Sequence, residues 1–201
     1  MESAKTPKEI ASIILKDCAS FIKECRKSGN NNMIFYRGAG KNITDNIQKE
    51  DTWPHRRPRD TPEEIHNKMD ELFCEKFWWR ARSEFSAFVT ADKKMADRYG
   101  HLYIFCPIGD YKYVWSPKIK NLLLKLQDKN IIESNEDNKL IDNTCNCIDV
   151  DTTMKTIVNE YLDRDLFGAY KSCHEIMFRC HSYYLLDVHV PMMQILRGDY
   201  D

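Results

Sequence analysis

Apolar residues between positions 7 and 27 recur at three- and four-residue steps: Ile10, Ile13, Ile14, Cys18, Phe21, Ile22 and Cys25. That spacing places them on one face of a helix, so one amphipathic helix is predicted over 7–27. Thr6 and Pro7 supply the cap and the first turn, and Ser28-Gly29-Asn30-Asn31-Asn32 ends the helix. Met33-Ile34-Phe35-Tyr36 is short, apolar and aromatic, the pattern of a buried strand. It closes on Arg37-Gly38-Ala39-Gly40, where a guanidinium beside glycine lets backbone approach a ligand.

Residues 41–60 are polar and read as one long loop ending in His55-Arg56-Arg57-Pro58-Arg59-Asp60. Thr61-Pro62-Glu63-Glu64 has the form of a capping box, followed by a helix that buries Ile65, Met69, Leu72, Phe73 and Phe77. Basic side chains just before a helix start favour an anion; a solvated loop is the plainer alternative. Strands are predicted over 85–90, 101–106, 111–115, 174–180 and 183–190, and helices over 91–100, 117–127 and 152–165. A tight turn near Ser182 joins the last two strands. Residues 128–150 read as a polar surface insertion. Short connections between strands offer several hairpins, which favours a mixed or antiparallel sheet pair over a doubly wound parallel sheet. The class expected is α+β, in one domain over 1–201 with an N-terminal helix over 1–30. Neither GxGxxG nor a Walker pattern is present.

Composition narrows the classes of function. Hydrophobic residues make up 42% and charged residues 30% of 201, which is globular rather than disordered. The formal net charge of −1 supplies no global field toward nucleic acid or membrane. No apolar run approaches the ~18 residues that a membrane-spanning helix needs. Several of the eight cysteines lie inside apolar or amphipathic runs, and no apolar leader follows Met1, so free thiols in a reducing cytoplasm are expected rather than disulfides. No metal is expected: Cys145-x-Cys147 is too tight for common zinc spacing, and His174 and His181 point to opposite strand faces.

Three features fall in order along the chain: a strand ending in Arg37-Gly38, a strand leading through Thr90 into a helix, and a strand carrying Glu175. Phe35-Tyr36-Arg37-Gly38, Ala87-Phe88-Val89-Thr90-Ala91 and Cys173-His174-Glu175-Ile176-Met177-Phe178 together resemble the ADP-ribosyltransferase family. The chain is also similar to a group of small tailed-phage proteins sharing the segments Arg57 to Pro62, Arg82 to Thr90, and Tyr99-Gly100. The resemblance spans about residues 33–187. It implies a mostly antiparallel two-sheet core with flanking helices, and NAD as substrate. It implies transfer of ADP-ribose to a host protein or nucleic acid in the cytoplasm of an infected cell, in host takeover or counter-defence.

On that resemblance Glu175, Arg37 and Thr90 are the catalytic residues. Arg37, Gly38, Tyr36, Phe88, Arg57, Arg59 and Arg82 are the NAD-binding residues, with Arg56 in the same basic cluster. Cleaving the nicotinamide–ribose bond leaves positive charge on the sugar, which a carboxylate stabilises. A planar guanidinium suits diphosphate oxygens, and an aromatic ring, Tyr36 or Phe88, suits nicotinamide. Two departures keep other functions open. Cys173 stands where arginine-modifying members carry Glu or Gln, and Thr90-Ala91-Asp92 keeps one hydroxyl of a Ser-Thr-Ser motif. The alternatives are a degenerate module that binds a nucleotide or a host protein, and an NAD glycohydrolase. Plainer roles stand beside each residue: Arg37 in an ion pair, Thr90 as a helix cap, and Glu175 paired near Arg179.

Overall fold

The computed structural model describes residues 5–27, 33–40, 42–43, 45–58, 60–133 and 149–199. Among these residues the order is α1 (Pro7–Asp17), α2 (Ala19–Lys27), β1 (Phe35–Ala39), β2 (Ile47–Asp51), α3 (Glu63–Phe77), β3 (Ser86–Val89) and α4 (Lys93–Asp97). There follow β4 (His101–Pro107), β5 (Lys112–Trp115), α5 (Leu122–Asp128), α6 (Val150–Asn159), α7 (Leu166–Ser172), β6 (Ile176–Arg179), β7 (Ser182–Asp187) and α8 (Met192–Arg197). The class is α+β. No helix among the described residues is long and apolar enough to cross a membrane.

Two antiparallel sheets form the core, one of order β1-β4-β7-β2 and one of order β3-β6-β5. The expected hairpins are absent among the described strands. The short links after β4 and after β6 each carry the chain from one sheet to the other. Pairing is long-range because both faces of β6 are buried: Ile176 and Phe178 face one way, Met177 the other. Phe178 meets Phe35 and Phe105 of the first sheet and Phe21 of α2, all fully buried. Met177 and Val114 pack instead with α3, α5 and α6 through Phe73, Leu122 and Ile157. The smaller sheet is therefore a middle layer between the larger sheet and those helices.

Several local expectations give way. The predicted helix over 7–27 breaks at Cys18, whose φ of −108° and ψ of 24° end α1, so the apolar face continues through two helices. Thr6 caps α1, with Glu9 reaching back to it. The loop expected over 41–60 contains β2, an edge strand with only Ile47 buried, whose polar outer face hides it from a hydrophobicity reading. Thr61 does not cap α3: Pro62 occupies that position, and the Thr61 hydroxyl accepts from Arg82 instead. The helix predicted over 152–165 ends at Asn159; α7 and α8, each too short to show a period, follow unforeseen. The run at 28–32 and most of the insertion expected over 128–150, including Cys145 and Cys147, lie outside the described residues. None of the six described cysteines is in a disulfide.

Candidate functional site

The two sheets touch where β1 meets the end of β3. Tyr36 and Thr90 exchange backbone hydrogen bonds of 2.7 and 3.0 Å. A cavity of about 330 Å³ opens at this seam, within the ~300–1,000 Å³ typical of ligand pockets. Arg37, Thr90 and Glu175, from three distant parts of the chain, all line it, as do Tyr36, Gly38, Phe88 and Arg82. Arg57 is exposed and does not line it; its neighbour Arg56 does. Arg59 lies outside the described residues.

Arg37 sits within β1, opposite Tyr103 of β4. Its Nη1 donates to the Phe88 carbonyl at 2.9 Å, and its guanidinium lies 5.4 Å from the centre of the Tyr183 ring. Its Nε is buried with no hydrogen-bond partner among the described residues. Gly38 serves the scaffold: an added Cβ would stand 2.1 Å from the Ala96 carbonyl oxygen of α4. The glycine lets a helix backbone approach β1 closely, and it also lines the cavity.

Thr90 is not the cap of the next helix. Asp92 caps α4, its carboxylate accepting from the backbone N–H groups of Lys94 and Met95. The buried Thr90 hydroxyl donates to the Cys173 carbonyl at 3.0 Å and accepts from the Asp92 N–H at 3.1 Å. Cys173 ends α7 with φ of +56°, a region where non-glycine residues are uncommon. Thr90 thus ties down the left-handed turn two residues before Glu175.

Glu175 precedes β6 rather than lying inside it; its N–H donates to the Lys120 carbonyl at 2.9 Å. Arg179, one candidate partner, pairs with Glu84 instead. Glu175 Oε2 accepts from Asn121 Nδ2 at 3.3 Å, while Oε1 is buried and without a partner among the described residues. Burial raises the carboxyl above its ordinary range, opposed first by Arg82, then by the Leu122 N–H and by Arg56. A buried carboxylate oxygen without a partner among the described residues can accept one further hydrogen bond.

Three guanidiniums, of Arg37, Arg56 and Arg82, line the cavity, and the last two oppose the burial of this carboxylate. Burial, then the charges of Arg37 and Arg82, lower Arg56 to about 10, and its guanidinium lies 4.5 Å from the Phe88 ring centre. Mutual repulsion among cations in a cavity favours an anionic ligand. The Phe88 ring thus already carries a cation. Lys93 Nζ stands 5.1 Å from the ring centre of the buried Tyr36.

Asn121 was missed by the sequence reading. It caps α5 through the Leu124 N–H at 3.1 Å, and its Nδ2 reaches both Glu175 and the Tyr99 hydroxyl, the latter at 3.2 Å. An Asn directly before Leu122-Leu123-Leu124 is a legible cap signal, but capping alone does not announce a second partner. His174 is structural, with Nδ1 2.7 Å from the Ser116 carbonyl. No group of three or more metal-ligating side chains occurs among the described residues. No protein-family model, curated protein or solved structure matches the chain.

Proposed function

We propose that the chain is a mono-ADP-ribosyltransferase that takes NAD into the seam cavity and transfers ADP-ribose to a macromolecule. One observation carries the reading. Arg37, Thr90 and Glu175 meet at a single cavity, and two polar atoms there, Arg37 Nε and Glu175 Oε1, are buried without partners among the described residues. In the proposed reaction the Glu175 carboxylate accepts from a ribose hydroxyl and stabilises the positive charge that develops as nicotinamide leaves. Arg37 and Arg56 bind the diphosphate, and Arg82 holds countercharge behind Glu175. Thr90 acts through the backbone, fixing the Glu175 turn. The phage resemblance extends the proposal to an acceptor in the infected cell.

One observation favours the second reading, a nucleotide-binding module without catalysis. The Thr90 hydroxyl is committed on both sides, to Cys173 and to Asp92, so it is not free to orient a ribose. Incubation with labelled NAD and host lysate, followed by mass spectrometry, separates the readings. The transferase yields nicotinamide and a labelled macromolecule with wild type and neither with Glu175→Ala. Calorimetric binding of NAD without release supports the module, and free ADP-ribose without a labelled acceptor supports a glycohydrolase. Absence of both binding and release refutes the proposal.

A further inference from the structure

Behind the cavity wall, α3 contributes two buried polar residues that no sequence motif announced. His66 and Asp70 stand one helical turn apart and are 2% and 1% exposed, so no ligand reaches them. Both are directed at Arg82, itself only 6% exposed. Arg82 Nε donates to His66 Nδ1 at 3.2 Å, its Nη2 donates to Thr61 Oγ1 at 3.0 Å, and its backbone N–H donates to Asp70 Oδ1 at 2.7 Å.

These contacts assign the imidazole. Arginine Nε always carries hydrogen, so His66 Nδ1 accepts and the proton of the neutral ring sits on Nε2. Nε2 faces Asp70 Oδ2 at 3.6 Å, and neither atom has a hydrogen-bond partner among the described residues. Burial, then the charges of Arg82 and Arg56, hold His66 neutral, with its pKa lowered to about 4. Asp70 thus holds Arg82 at its backbone N–H, while His66 and Thr61 hold its guanidinium. Arginine carries five donors in a rigid fork; two are fixed on the protein side, and the side chain still lines the cavity that Glu175 lines.

We propose that His66 and Thr61 at the guanidinium, with Asp70 at the backbone N–H, form a lock that holds Arg82 as the standing countercharge of Glu175, making His66 a positioning residue for the cavity. The consequence for catalysis rests on the reading of Glu175 as the working carboxylate; the lock itself does not. The charged and titratable groups facing Glu175 are Arg82 and Arg56, with Tyr99 at the end of α4 and Tyr161 beyond α6. Arg82 opposes the burial of Glu175 most strongly.

The test is the titration of Glu175 in the full chain by carbon NMR with labelled glutamate, its signal assigned by Glu175→Gln. His66→Leu removes the acceptor for Arg82 Nε. His66→Asn places an amide oxygen near the position of Nδ1 and restores it. Thr61→Val removes the second acceptor with little change of shape. The lock predicts that the Glu175 midpoint rises by about one pH unit in His66→Leu. It predicts a rise in Thr61→Val as well, and the wild-type midpoint in His66→Asn. An unchanged midpoint in Thr61→Val, or His66→Asn titrating above wild type, overturns the proposal, even where His66→Leu fails to fold. In turnover assays the acid limb shifts in parallel. Absence of NAD turnover in wild type rejects the transferase reading and leaves the titration to decide the lock.

Discussion

Replacing Thr90 by valine removes one hydroxyl and keeps the branched shape of the side chain. Thr90 is 3% exposed, and its hydroxyl serves two groups, the Cys173 carbonyl at 3.0 Å and the Asp92 N–H at 3.1 Å. Valine leaves both unpaired. A buried polar group without a partner costs ~1–3 kcal/mol. Cys173 and Asp92 are only half-buried, so water relieves part of the cost and the low end applies to each. The sum is about 2 kcal/mol. For a chain of this size, 1 kcal/mol moves Tm by ~2–4 °C, so Thr90→Val melts about 4–8 °C below wild type. The turn at Cys173 also loses its tether, and a left-handed non-glycine conformation relaxes once nothing holds it. Glu175 then drifts, so NAD turnover falls further in Thr90→Val than in Thr90→Ser, which keeps the hydroxyl. Differential scanning calorimetry with both variants checks the stability, and nicotinamide release checks the drift. A valine variant that melts and turns over like wild type refutes the tether.

Gly38→Ala pushes a Cβ to 2.1 Å from the Ala96 carbonyl oxygen, which is helix backbone and must move. A stability loss of ~1–3 kcal/mol is expected in denaturant titration, with weaker NAD binding because α4 carries Met95 into the cavity wall. Asn121→Ala strips the α5 cap and one partner of Glu175 together; about 1 kcal/mol is lost from the cap, and the acid limb of turnover moves to higher pH. His66 titrates at about 4 when folded against 6.5 ordinarily, so the unfolded chain takes up a proton that the folded chain refuses. Its contribution is complete above pH 6.5 and is lost as pH falls toward 4, up to about 3 kcal/mol at ~1.4 kcal/mol per unit. His66→Asn lacks this proton, so denaturant midpoints compared at pH 7 and 4.5 fall less in the variant than in wild type.

Much of the architecture was legible where burial writes a period. The apolar stripe of α1 and α2, the runs at β4 and β5, and the cap at Thr6 follow from local chemistry. What failed depends on partners distant in sequence. β2 exists because β7 lies beside it, and the links after β4 and β6 change sheets because Phe178 needs Phe35 and Phe105. The residues of the site were readable as types in order, so Arg37, Thr90, Glu175 and Arg82 do reach one cavity. Their mechanics were not. Gly38 makes room for a helix as well as lining the cavity, Thr90 holds a turn rather than capping a helix, and Arg56 rather than Arg57 faces the cavity. Each of those facts is a side-chain direction fixed by tertiary packing, which no local pattern encodes.

The central claim is that Glu175 acts on NAD, and nicotinamide release by wild type and Glu175→Ala, measured side by side, tests it most directly. Loss of a transition-state electrostatic partner costs ~10²–10³-fold, so release falls at least that far. Alanine also removes the partner of Asn121 and the countercharge of Arg82, so release is compared at a temperature where circular dichroism shows both proteins folded. Equal release from the two proteins would contradict the account.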